Sequence, residues 1–288
     1  MHKKESFFVF ARSIAGRSIP DRIYLSLLYR KRMGRRPDLK NPRSFTEKIQ
    51  WLKMNWRDDL LTQCADKYEV RKFVEDRIGP EILKALYGVY DKPEEIDISK
   101  LPDAFVLKVS SGCKQNIFCK SKSDMDWAET LRLLKRYLKE DLFPVYREWA
   151  YKNIIPRIIC EEYLAAHGGP LNEYGFYCYH GVPRQVEVNE YLPESHCVNM
   201  FDVDLNLLEN KYGSAPLQKK VTRTPQYEKM LDYATNLSRG FLFVRVDLLY
   251  VNERIYFGEM TFYPLAGLCR LDPESFDDFL GSHLEIPA

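Results

Sequence analysis

Four side chains near the end of the chain have the types and the spacing to do chemistry together. Arg245 and Asp247 lie two residues apart in a run of β-branched and aromatic residues, and Glu259 and Thr261 lie two apart in a second such run. Side chains two residues apart in a strand point to the same face. If both runs are strands, each therefore presents a pair of polar groups on one face.

The two runs are close enough in the chain to form a β-hairpin. They extend over residues 241–251 and 255–262, and the residues between them, 252–254, are typical of a short hairpin loop. This loop predicts a register in which Val251 pairs with Ile255.

That register brings the four polar side chains together, because it sets Asp247 opposite Glu259 and Arg245 opposite Thr261. Paired Cβ atoms lie about 5 Å apart, and two carboxylates that face each other destabilise a sheet. A Mg²⁺ ion would offset the repulsion, since it takes one or two carboxylates together with phosphate oxygens, and the donor fork of arginine suits a phosphate. The alternative is a solvated hairpin face, and a register shifted by one residue would remove the pairing.

Composition and charge limit the class of protein. The chain has 288 residues, of which 45% are hydrophobic and 29% charged, as in a folded globular protein that is long enough for two lobes. The seven cysteines are scattered without a C-x-x-C pair, so neither a disulfide framework nor a zinc site is predicted. No apolar run approaches the ~20 residues of a membrane span, and the apolar stretch at 6–10 is too short for a signal peptide. We therefore expect a cytoplasmic protein.

The N-terminal segment is strongly basic. Residues 3–36 contain ten Lys or Arg and two Asp or Glu, with an apolar stretch at 23–28, which predicts a basic amphipathic helix. One interpretation is peripheral contact with the anionic inner face of a membrane, where each basic residue contributes about 1 kcal/mol. The other is a helix docked on the core with its charges in water. A nucleic-acid partner is not expected, because this basic excess lacks interleaved aromatic residues for stacking.

Helices and strands follow in alternation along the rest of the chain. A capping box at 44–47 predicts the start of a helix, and a polar loop is expected around His196. Further helices are predicted at 60–78, 124–140, 225–239 and 274–280, and further strands at 104–110, 116–120, 157–164, 174–179 and 183–188.

Lys108 lies inside the apolar strand at 104–110. A lysine is almost never fully buried without a partner, so Lys108 requires an anion. The polar loop at 110–116 could hold phosphate oxygens with its backbone N–H groups or be a plain hairpin loop, and it has neither the Walker A nor the dinucleotide glycine pattern. Lys67 is either a phosphate ligand or a surface charge. The acidic strand end at 161–164 could offer backbone groups to a purine, although strand ends also carry acids without a special role.

Six segments are more specific in their order and spacing than any one of them alone: 40–51 (KNPRSFTEKIQW), 66–71 (DKYEVR), 105–108 (FVLK), 161–164 (EEYL), 244–247 (VRVD) and 257–262 (FGEMTF). With them the chain resembles the ATP-grasp enzymes, and more closely the TupA-like branch associated with teichuronopeptide and surface-polysaccharide gene clusters. The resemblance covers most of the chain. It implies an α+β fold in which two α+β lobes grip ATP between antiparallel sheets, with an N-terminal helical extension. The implied divisions are a basic helical extension at 1–60, the N-terminal part of the core at 61–100, a lid at 101–165 and a C-terminal part with the metal site at 166–288.

The resemblance also implies roles for individual residues, with ATP and Mg²⁺ as cofactors. Nucleotide phosphates would be bound by Lys67, Lys108 and the loop residues Ser110, Ser111 and Gly112, and adenine by the backbone of Glu161, Glu162, Tyr163 and Leu164. Mg²⁺ would be held by Asp247, Glu259 and Thr261, while Arg245 and Lys108 would act on the transferred phosphoryl group. Three departures from the family pattern are a glycine-poor phosphate loop, Gly175 where a Lys is often found, and Thr261 where many members have Asn.

The implied reaction is ATP-dependent ligation of a carboxylate to an amine through an acyl phosphate. The carboxylate would belong to a uronic acid in a glycan or a sugar nucleotide, and the amine to an amino acid or another small amine. Arg184, His196 and Asn199 lie in the segment where a substrate pocket could form. The alternatives are a glycan kinase or phosphotransferase with the same nucleotide site, and a catalytically weak binding protein of glycan assembly.

Overall fold

A computed structural model describes residues 19–113, 115–164, 171–191, 196–208, 221 and 223–287, without the side chains of residues 171 and 196. Within these residues the chain forms eight α-helices: α1 (Asp21–Met33), α2 (Phe45–Asn55), α3 (Asp59–Ala65), α4 (Val70–Arg77), α5 (Trp127–Tyr137), α6 (Phe143–Tyr146), α7 (Tyr227–Ser238) and α8 (Ser275–Ser282). The strands are β1 (Leu86–Tyr90), β2 (Phe105–Val109), β3 (Asn116–Cys119), β4 (Ile158–Glu162), β5 (Leu171–Tyr179), β6 (Val182–Tyr191), β7 (His196–Asp202), β8 (Phe243–Val251) and β9 (Arg254–Thr261). Short 3₁₀ turns lie at Pro80–Ile82, Pro93–Glu95, Ile98–Lys100, Lys122–Asp124, Trp149–Tyr151 and Pro264–Gly267.

The strands form two antiparallel sheets. The first has the strand order β1-β4-β2-β3, and the second has the order β7-β6-β5-β8-β9. A large apolar core lies between the second sheet and the helices, and a smaller one lies between the first sheet and α5. Segregated helices and antiparallel sheets make an α+β fold, which confirms the predicted fold class.

The segment around residues 196–202 is a strand, so the prediction of a polar loop at His196 was wrong. This strand, β7, pairs with β6 along its whole length. Its residues Cys197, Val198, Met200 and Phe201 are buried, and that burial outweighs the polar residues which had suggested a loop.

One predicted helix is in fact two. Residues 60–78 were expected to form a single helix, but α3 ends before Asp66, whose backbone is extended at ψ 119°. The Asp66 carboxylate accepts the N–H groups of Tyr68 at 2.7 Å and Glu69 at 3.2 Å, and these bonds replace continuation of the helix. The N–H of Lys67 donates instead to the carbonyl of Ser110 at 3.1 Å. The break therefore ties Lys67 to the loop after β2.

The β8–β9 hairpin has a tighter turn than predicted. The turn consists of Asn252 at φ 49° and Glu253 at φ 62°, and Val251 pairs with Arg254 instead of Ile255. Two residues of positive φ give a turn whose twist matches that of the flanking strands. The predicted register is therefore wrong by one residue beside the turn.

A β-bulge at Gly258 restores the predicted pairing further along the hairpin. The register shifts between Asp247 and the next residue of β8, so that Asp247 lies opposite Glu259 and Arg245 opposite Thr261. A Cβ atom on Gly258 would lie 2.8 Å from the backbone oxygen of Asp247, closer than real Cβ contacts. The bulge thus depends on glycine, and the predicted pairing of the two carboxylates is confirmed.

Helix α1 is docked on the core by one face and open on the other. Leu25, Leu28 and Tyr29 are buried, whereas Ile23 is 54% and Leu27 58% exposed. The structure thus confirms that α1 is docked on the core, and membrane contact by its exposed face stays a prediction. The basic residues before position 19 lie outside the described residues. None of the helices that the structure describes is long and apolar enough to cross a membrane.

The bulge and the turn predict opposite responses to substitution. Gly258→Ala should lower the free energy of unfolding by about 1–3 kcal/mol, because the added Cβ collides with backbone. Glu253→Gly should be neutral or stabilise by up to about 1 kcal/mol, because it relieves a positive φ. Urea unfolding of both variants measures the difference, and an unchanged midpoint for Gly258→Ala would show that the strand can shift without cost.

Candidate functional site

The centre of the site is an ion pair on β8. The Nε of Arg245 donates to Oδ1 of Asp247 at 2.7 Å, and an Nη donates to Oδ2 at 2.7 Å. The side chain of Asp247 is only 2% exposed, so this bidentate pair lies in the interior, where such geometry is most effective. Burial lowers the pKa of the guanidinium, but Asp247 and Glu187 outweigh burial and raise that pKa well above its ordinary value. Arg245 therefore remains charged.

Gly175 of β5 makes room for this ion pair. It is the cross-strand neighbour of Asp247, and a Cβ atom at this position would lie 2.9 Å from Oδ1 of Asp247 and 3.0 Å from Cδ of Arg245. The absence of a side chain lets the guanidinium and the carboxylate lie flat on the sheet. The packing of this ion pair therefore explains why position 175 is a glycine.

Asp247 and Glu259 face each other across the hairpin, and we call them the acidic pair. Glu259 is its more exposed member. Its side chain is 46% exposed, and its Oε2 lies 3.9 Å from the Nζ of Lys67. The hydroxyl of Thr261 donates to Oε1 at 3.1 Å, and an Nη of Arg245 lies 4.0 Å from Oε1. Burial raises the pKa of the Glu259 carboxyl, but Lys67, Arg245 and the Thr261 hydroxyl outweigh burial and hold that pKa below its ordinary value. Glu259 is therefore an ionised carboxylate that a ligand can reach.

Further acids line the same face of the second sheet. We call this the polar face, and it comprises Glu173, Gly175, Glu187, Asn189, Arg245, Asp247, Glu259 and Thr261. Glu187 accepts the hydroxyl of Tyr177 at 3.1 Å and Nδ2 of Asn189 at 3.0 Å, and it lies 3.5 Å from Arg245. Burial raises the pKa of Glu173 to about 6. Acids therefore outnumber bases on this face.

The first sheet presents the opposite charge. Lys108 on β2 places its Nζ 2.5 Å from Oε2 of Glu161 on β4, which supplies the anion that the sequence requires for this lysine. Arg71 of α4 lies 3.3 Å from Oε1 of Glu161, and Lys84 lies 3.9 Å from Oε2. Burial raises the pKa of Glu161, but Lys84, Lys108 and Arg71 outweigh it and leave the pKa below its ordinary value. One buried carboxylate is thus surrounded by three cations.

Lys67 contacts both the predicted phosphate loop and the polar face. Its Nζ donates to the carbonyl of Gly112 at 2.5 Å and lies 3.9 Å from Glu259. Ser110 and Gly112 donate their N–H groups to the carbonyls of Arg157 at 2.8 Å and Val109 at 3.0 Å, and Ser111 is half-buried between them. In this conformation the N–H groups of Ser110 and Gly112 serve the fold instead of an anion.

The strand end at Glu161 to Leu164 reaches the polar face. The N–H of Glu162 donates to the carbonyl of Ala85 at 2.9 Å, and the ring of Tyr163 packs edge-on against Phe118. Leu164 packs against a small apolar cluster that includes Leu249 of β8. Leu249 lies two residues from Asp247, so Leu164 packs beside the strand that carries the buried carboxylate.

Two of the three predicted substrate residues, Arg184 and Asn199, are not part of the polar face. Arg184 is exposed beside the bulge in β6, and Asn199 pairs with Val188 and so lies on the opposite face of the second sheet. The side chain of His196 lies outside the part of the chain that the structure describes.

Sequence reasoning missed four residues of this site: Arg71, Lys84, Glu173 and Glu187. Arg71 lies four residues after Lys67, and the two acids alternate with apolar residues along β5 and β6, which is the pattern that would have revealed them. Lys84 lies in an irregular segment between a 3₁₀ turn and β1, where no periodicity indicates the direction of a side chain.

The donor set fits Mg²⁺ together with a polyphosphate. Asp247 and Glu259 face each other beside the hydroxyl of Thr261, and Mg²⁺ prefers one or two carboxylates plus phosphate oxygens. Among the described residues no three His, Cys, Asp or Glu side chains form a group that could hold a metal alone. Phosphate oxygens would therefore complete the coordination, and Arg245 would have to release an oxygen of Asp247.

Comparisons with known proteins identify a family model and several solved structures that are similar to this chain. A family model for the TupA-like ATPgrasp proteins matches residues 47–285. The chain is similar to D-alanine–D-alanine ligase from Helicobacter pylori, at 12% identity and a TM-score of 0.47, over 84% of this chain and 69% of that chain. It is similar to D-alanine–D-alanine ligase from Bacillus anthracis complexed with ATP, at 12% identity and a TM-score of 0.43, over 70% of this chain and 55% of that chain.

A third similar structure is N5-carboxyaminoimidazole ribonucleotide synthetase from Thermus thermophilus, at 13% identity and a TM-score of 0.42, over 75% of this chain and 51% of that chain. The chain thus spans between 51% and 69% of these three solved proteins. No curated protein sequence matches it.

Removing the partner of the buried carboxylate should cost more stability than changing the exposed carboxylate of the acidic pair. Arg245→Gln leaves the buried carboxylate of Asp247 without its partner, and we expect a loss of about 3–5 kcal/mol in the free energy of unfolding. Glu259→Gln alters a half-exposed side chain and should cost less than about 1 kcal/mol. Urea unfolding at pH 7 measures both.

The double variant Arg245→Gln/Asp247→Asn is the control for this prediction, because it removes both charges and should recover part of the loss. If Arg245→Gln alone unfolds at the midpoint of the parent, the ion pair does not carry the stability of this sheet.

Proposed function

The chain belongs to the TupA-like ATP-grasp family, and on this premise we propose that it is an ATP-dependent ligase that joins a carboxylate to an amine. The observation that carries the proposal is the separation of charge between two facing sheets. Lys108, Arg71 and Lys84 surround a single carboxylate on one side, and acids exceed bases on the polar face. A polyphosphate with its divalent cation has the matching arrangement of charge.

Nucleotide binding would divide between these two regions. Lys67 and Lys108 would donate to phosphate oxygens, with the loop Ser110 to Gly112 beside them, and the backbone of Tyr163 and Leu164 would contact adenine. Asp247 and Glu259, with the hydroxyl of Thr261, would hold Mg²⁺. When bound, this ion would neutralise charge on the phosphates. The pairing of the two carboxylates across the hairpin supports this assignment.

The proposed reaction has two steps. A substrate carboxylate oxygen attacks the γ-phosphorus of ATP, the bond to the β-phosphate oxygen breaks, and an acyl phosphate and ADP result. The nitrogen of an amine then attacks the acyl carbon, inorganic phosphate leaves and the amine loses a proton, which gives an amide. Arg245 and Lys108 would supply fixed positive charge to the phosphoryl group in flight. Neither step needs a protein nucleophile.

We propose the carboxylate of a uronic acid, in a glycan or a sugar nucleotide, as the acceptor, and an amino acid or small amine as the donor. The family resemblance of the six sequence segments supports this class. The reaction would take place in the cytoplasm as part of bacterial surface-polysaccharide or capsule biosynthesis. Phosphoryl transfer to a glycan hydroxyl would use the same nucleotide site, and the experiment below separates the two reactions.

The test is a screen for ADP release over uronates crossed with amines, in which the uronate carboxylate carries oxygen-18. Ligation transfers label into the released phosphate and requires both partners, whereas a kinase transfers no label. Glu259→Gln should lower turnover at least about 100-fold with the fold retained, and Asp247→Asn should do the same at a greater cost in stability.

Near-normal ADP formation in both variants would overturn the site assignment. If calorimetry detects binding of a glycan but no binding of Mg·ATP, both enzymatic functions fail and a binding protein of glycan assembly remains.

We further propose that the open face of α1 contacts an anionic membrane surface. Residues 1–40 contain 11 Lys or Arg and 3 Asp or Glu, whereas the rest of the chain contains 32 and 38, so the N-terminal part alone has a large positive charge. A groove of about 370 Å³ on this face is lined by Ile23 and Leu27 together with Arg22, Arg30 and Arg36. Apolar side chains flanked by arginines suit the boundary between lipid headgroups and acyl chains.

Sedimentation with vesicles tests this contact. The full chain should bind vesicles of phosphatidylglycerol and phosphatidylcholine, but not vesicles of phosphatidylcholine alone. The triple variant Arg22→Gln/Arg30→Gln/Arg36→Gln should bind at least about 10-fold more weakly, since each basic residue contributes about 1 kcal/mol. Ile155→Glu, at an apolar residue that is 74% exposed elsewhere, is the matched control and should bind like the parent. Equal binding to both vesicle types would contradict the proposal.

A further inference from the structure

Lys84 is a buried lysine to which neither the sequence nor the reaction above assigns a role. It lies between the 3₁₀ turn at Pro80–Ile82 and β1, and only 9% of it is exposed. Its backbone carbonyl accepts an Nη of Arg71 at 2.9 Å, which fixes the segment against α4. The Nζ of Lys84 lies 3.9 Å from Oε2 of Glu161. Lys84 is therefore held in place and directed toward the interior between the sheets.

Among the described residues, the cations around Glu161 outnumber the carboxylates within ion-pair distance of them. Lys108 at 2.5 Å is the close partner of this carboxylate, and Arg71 at 3.3 Å and Lys84 at 3.9 Å share what remains. Glu161 is the one carboxylate within 4 Å of the Lys84 ammonium among the described residues. Three cations and one anion leave an excess of two positive charges. Buried charges without partners are costly, so the cluster is suited to a further anion.

Two acids of the second sheet act on the charge of Lys84 but lie beyond ion-pair distance. Glu173 and Glu259 of the polar face act on its charge from the second sheet, while Lys108 acts on it from the first. Between those acids on the polar face lies Gly175, which contributes no positive charge of its own. Lys84 thus lies beside the cations around Glu161, and acids of the polar face are near enough to act on its charge.

We propose that Lys84 is a nucleotide-binding residue that donates to phosphate oxygens of ATP, alongside Lys67 and Lys108. This assignment rests on the proposed function, because it places the same polyphosphate between the two sheets. It gives the excess positive charge around Glu161 its missing partner. It also supplies a cation that the polar face does not provide at Gly175.

Protonation gives this assignment a readout that does not depend on turnover. Burial, followed by Lys108, lowers the pKa of Lys84 to about 8, although Glu161, Glu173 and Glu259 act to raise it. At pH 8 the free protein therefore carries this lysine partly deprotonated. A bound polyphosphate favours the charged form, so the binding of ATP should take up a proton from the buffer. The uptake should fade below about pH 7, where Lys84 is already protonated.

The experiment is isothermal calorimetry of Mg·ATP binding at pH 8 in two buffers that differ in their ionisation enthalpy. Lys84→Met should bind Mg·ATP at least about 10-fold more weakly and lose the proton uptake. Lys84→Arg should retain affinity within a few-fold, because it keeps the positive charge, but it should also lose the uptake, because arginine does not titrate near this pH. Lys72→Met, at an exposed lysine paired with Asp76, is the matched control and should behave like the parent.

The outcomes separate this inference from the proposed function. If the parent binds Mg·ATP and Lys84→Met binds equally well with the same proton uptake, the role of Lys84 is overturned and the ligase proposal stands. If the parent binds no Mg·ATP, both are overturned. Urea unfolding of Lys84→Met and Lys84→Arg shows that a loss of affinity does not arise from unfolding, and Lys84→Arg settles the point if Lys84→Met fails to fold.

Discussion

The bidentate ion pair between Arg245 and Asp247 is the interaction on which the rest of the site depends. A carboxylate that is 2% exposed persists in a sheet only if its charge is matched there. Two glycines shape the surroundings of this ion pair. Gly175 leaves space for the pair on the neighbouring strand, and Gly258 shifts the opposite strand so that Glu259 faces Asp247. The position of the exposed carboxylate, Glu259, thus depends on the glycine of the bulge.

The candidate site combines an excess of positive charge beside the first sheet with an excess of negative charge on the second sheet. Beside the first sheet, Lys108, Arg71 and Lys84 converge on Glu161, so that this acid orients bases instead of acting as a ligand. On the second sheet, Glu173 and Glu187 extend the acidic surface away from Glu259. The excess of positive charge around Glu161 and the excess of negative charge on the polar face would each be unfavourable alone. Each is reduced by the opposite charge that it attracts. A ligand with negative oxygens and a divalent cation satisfies both sheets at once.

The period of two in a strand was sufficient to predict that Arg245 shares a face with Asp247 and that Glu259 shares a face with Thr261, because that rule is local. The turn was mispredicted by one residue, and the bulge at Gly258 cancelled the error, although nothing in the spacing of the two strands indicates a bulge. Such compensation arises from packing of the finished sheet, which a reading of paired positions cannot include.

Local polar competition and irregular backbone account for the other differences. The helix at 60–78 was divided because the Asp66 carboxylate bonds to the backbone N–H groups that follow it, in place of the helical carbonyls. Lys84 was missed because its segment has no periodic structure. Asn199 lies away from the site because one step along a strand reverses the face of the sheet. None of these three features is indicated by hydrophobic periodicity, which was the basis of the predictions.

The proximity of Arg245 and Asp247 in the chain also affects the order in which the site assembles during folding. Asp247 and Glu259 are 12 residues apart and can meet as soon as the hairpin forms, whereas Lys67 is 192 residues from Glu259 and arrives only after a long loop closes. A nascent hairpin with two facing carboxylates would repel itself. Because its counterion is two residues away on the same strand, the acidic pair is partly neutralised before any other part of the chain arrives.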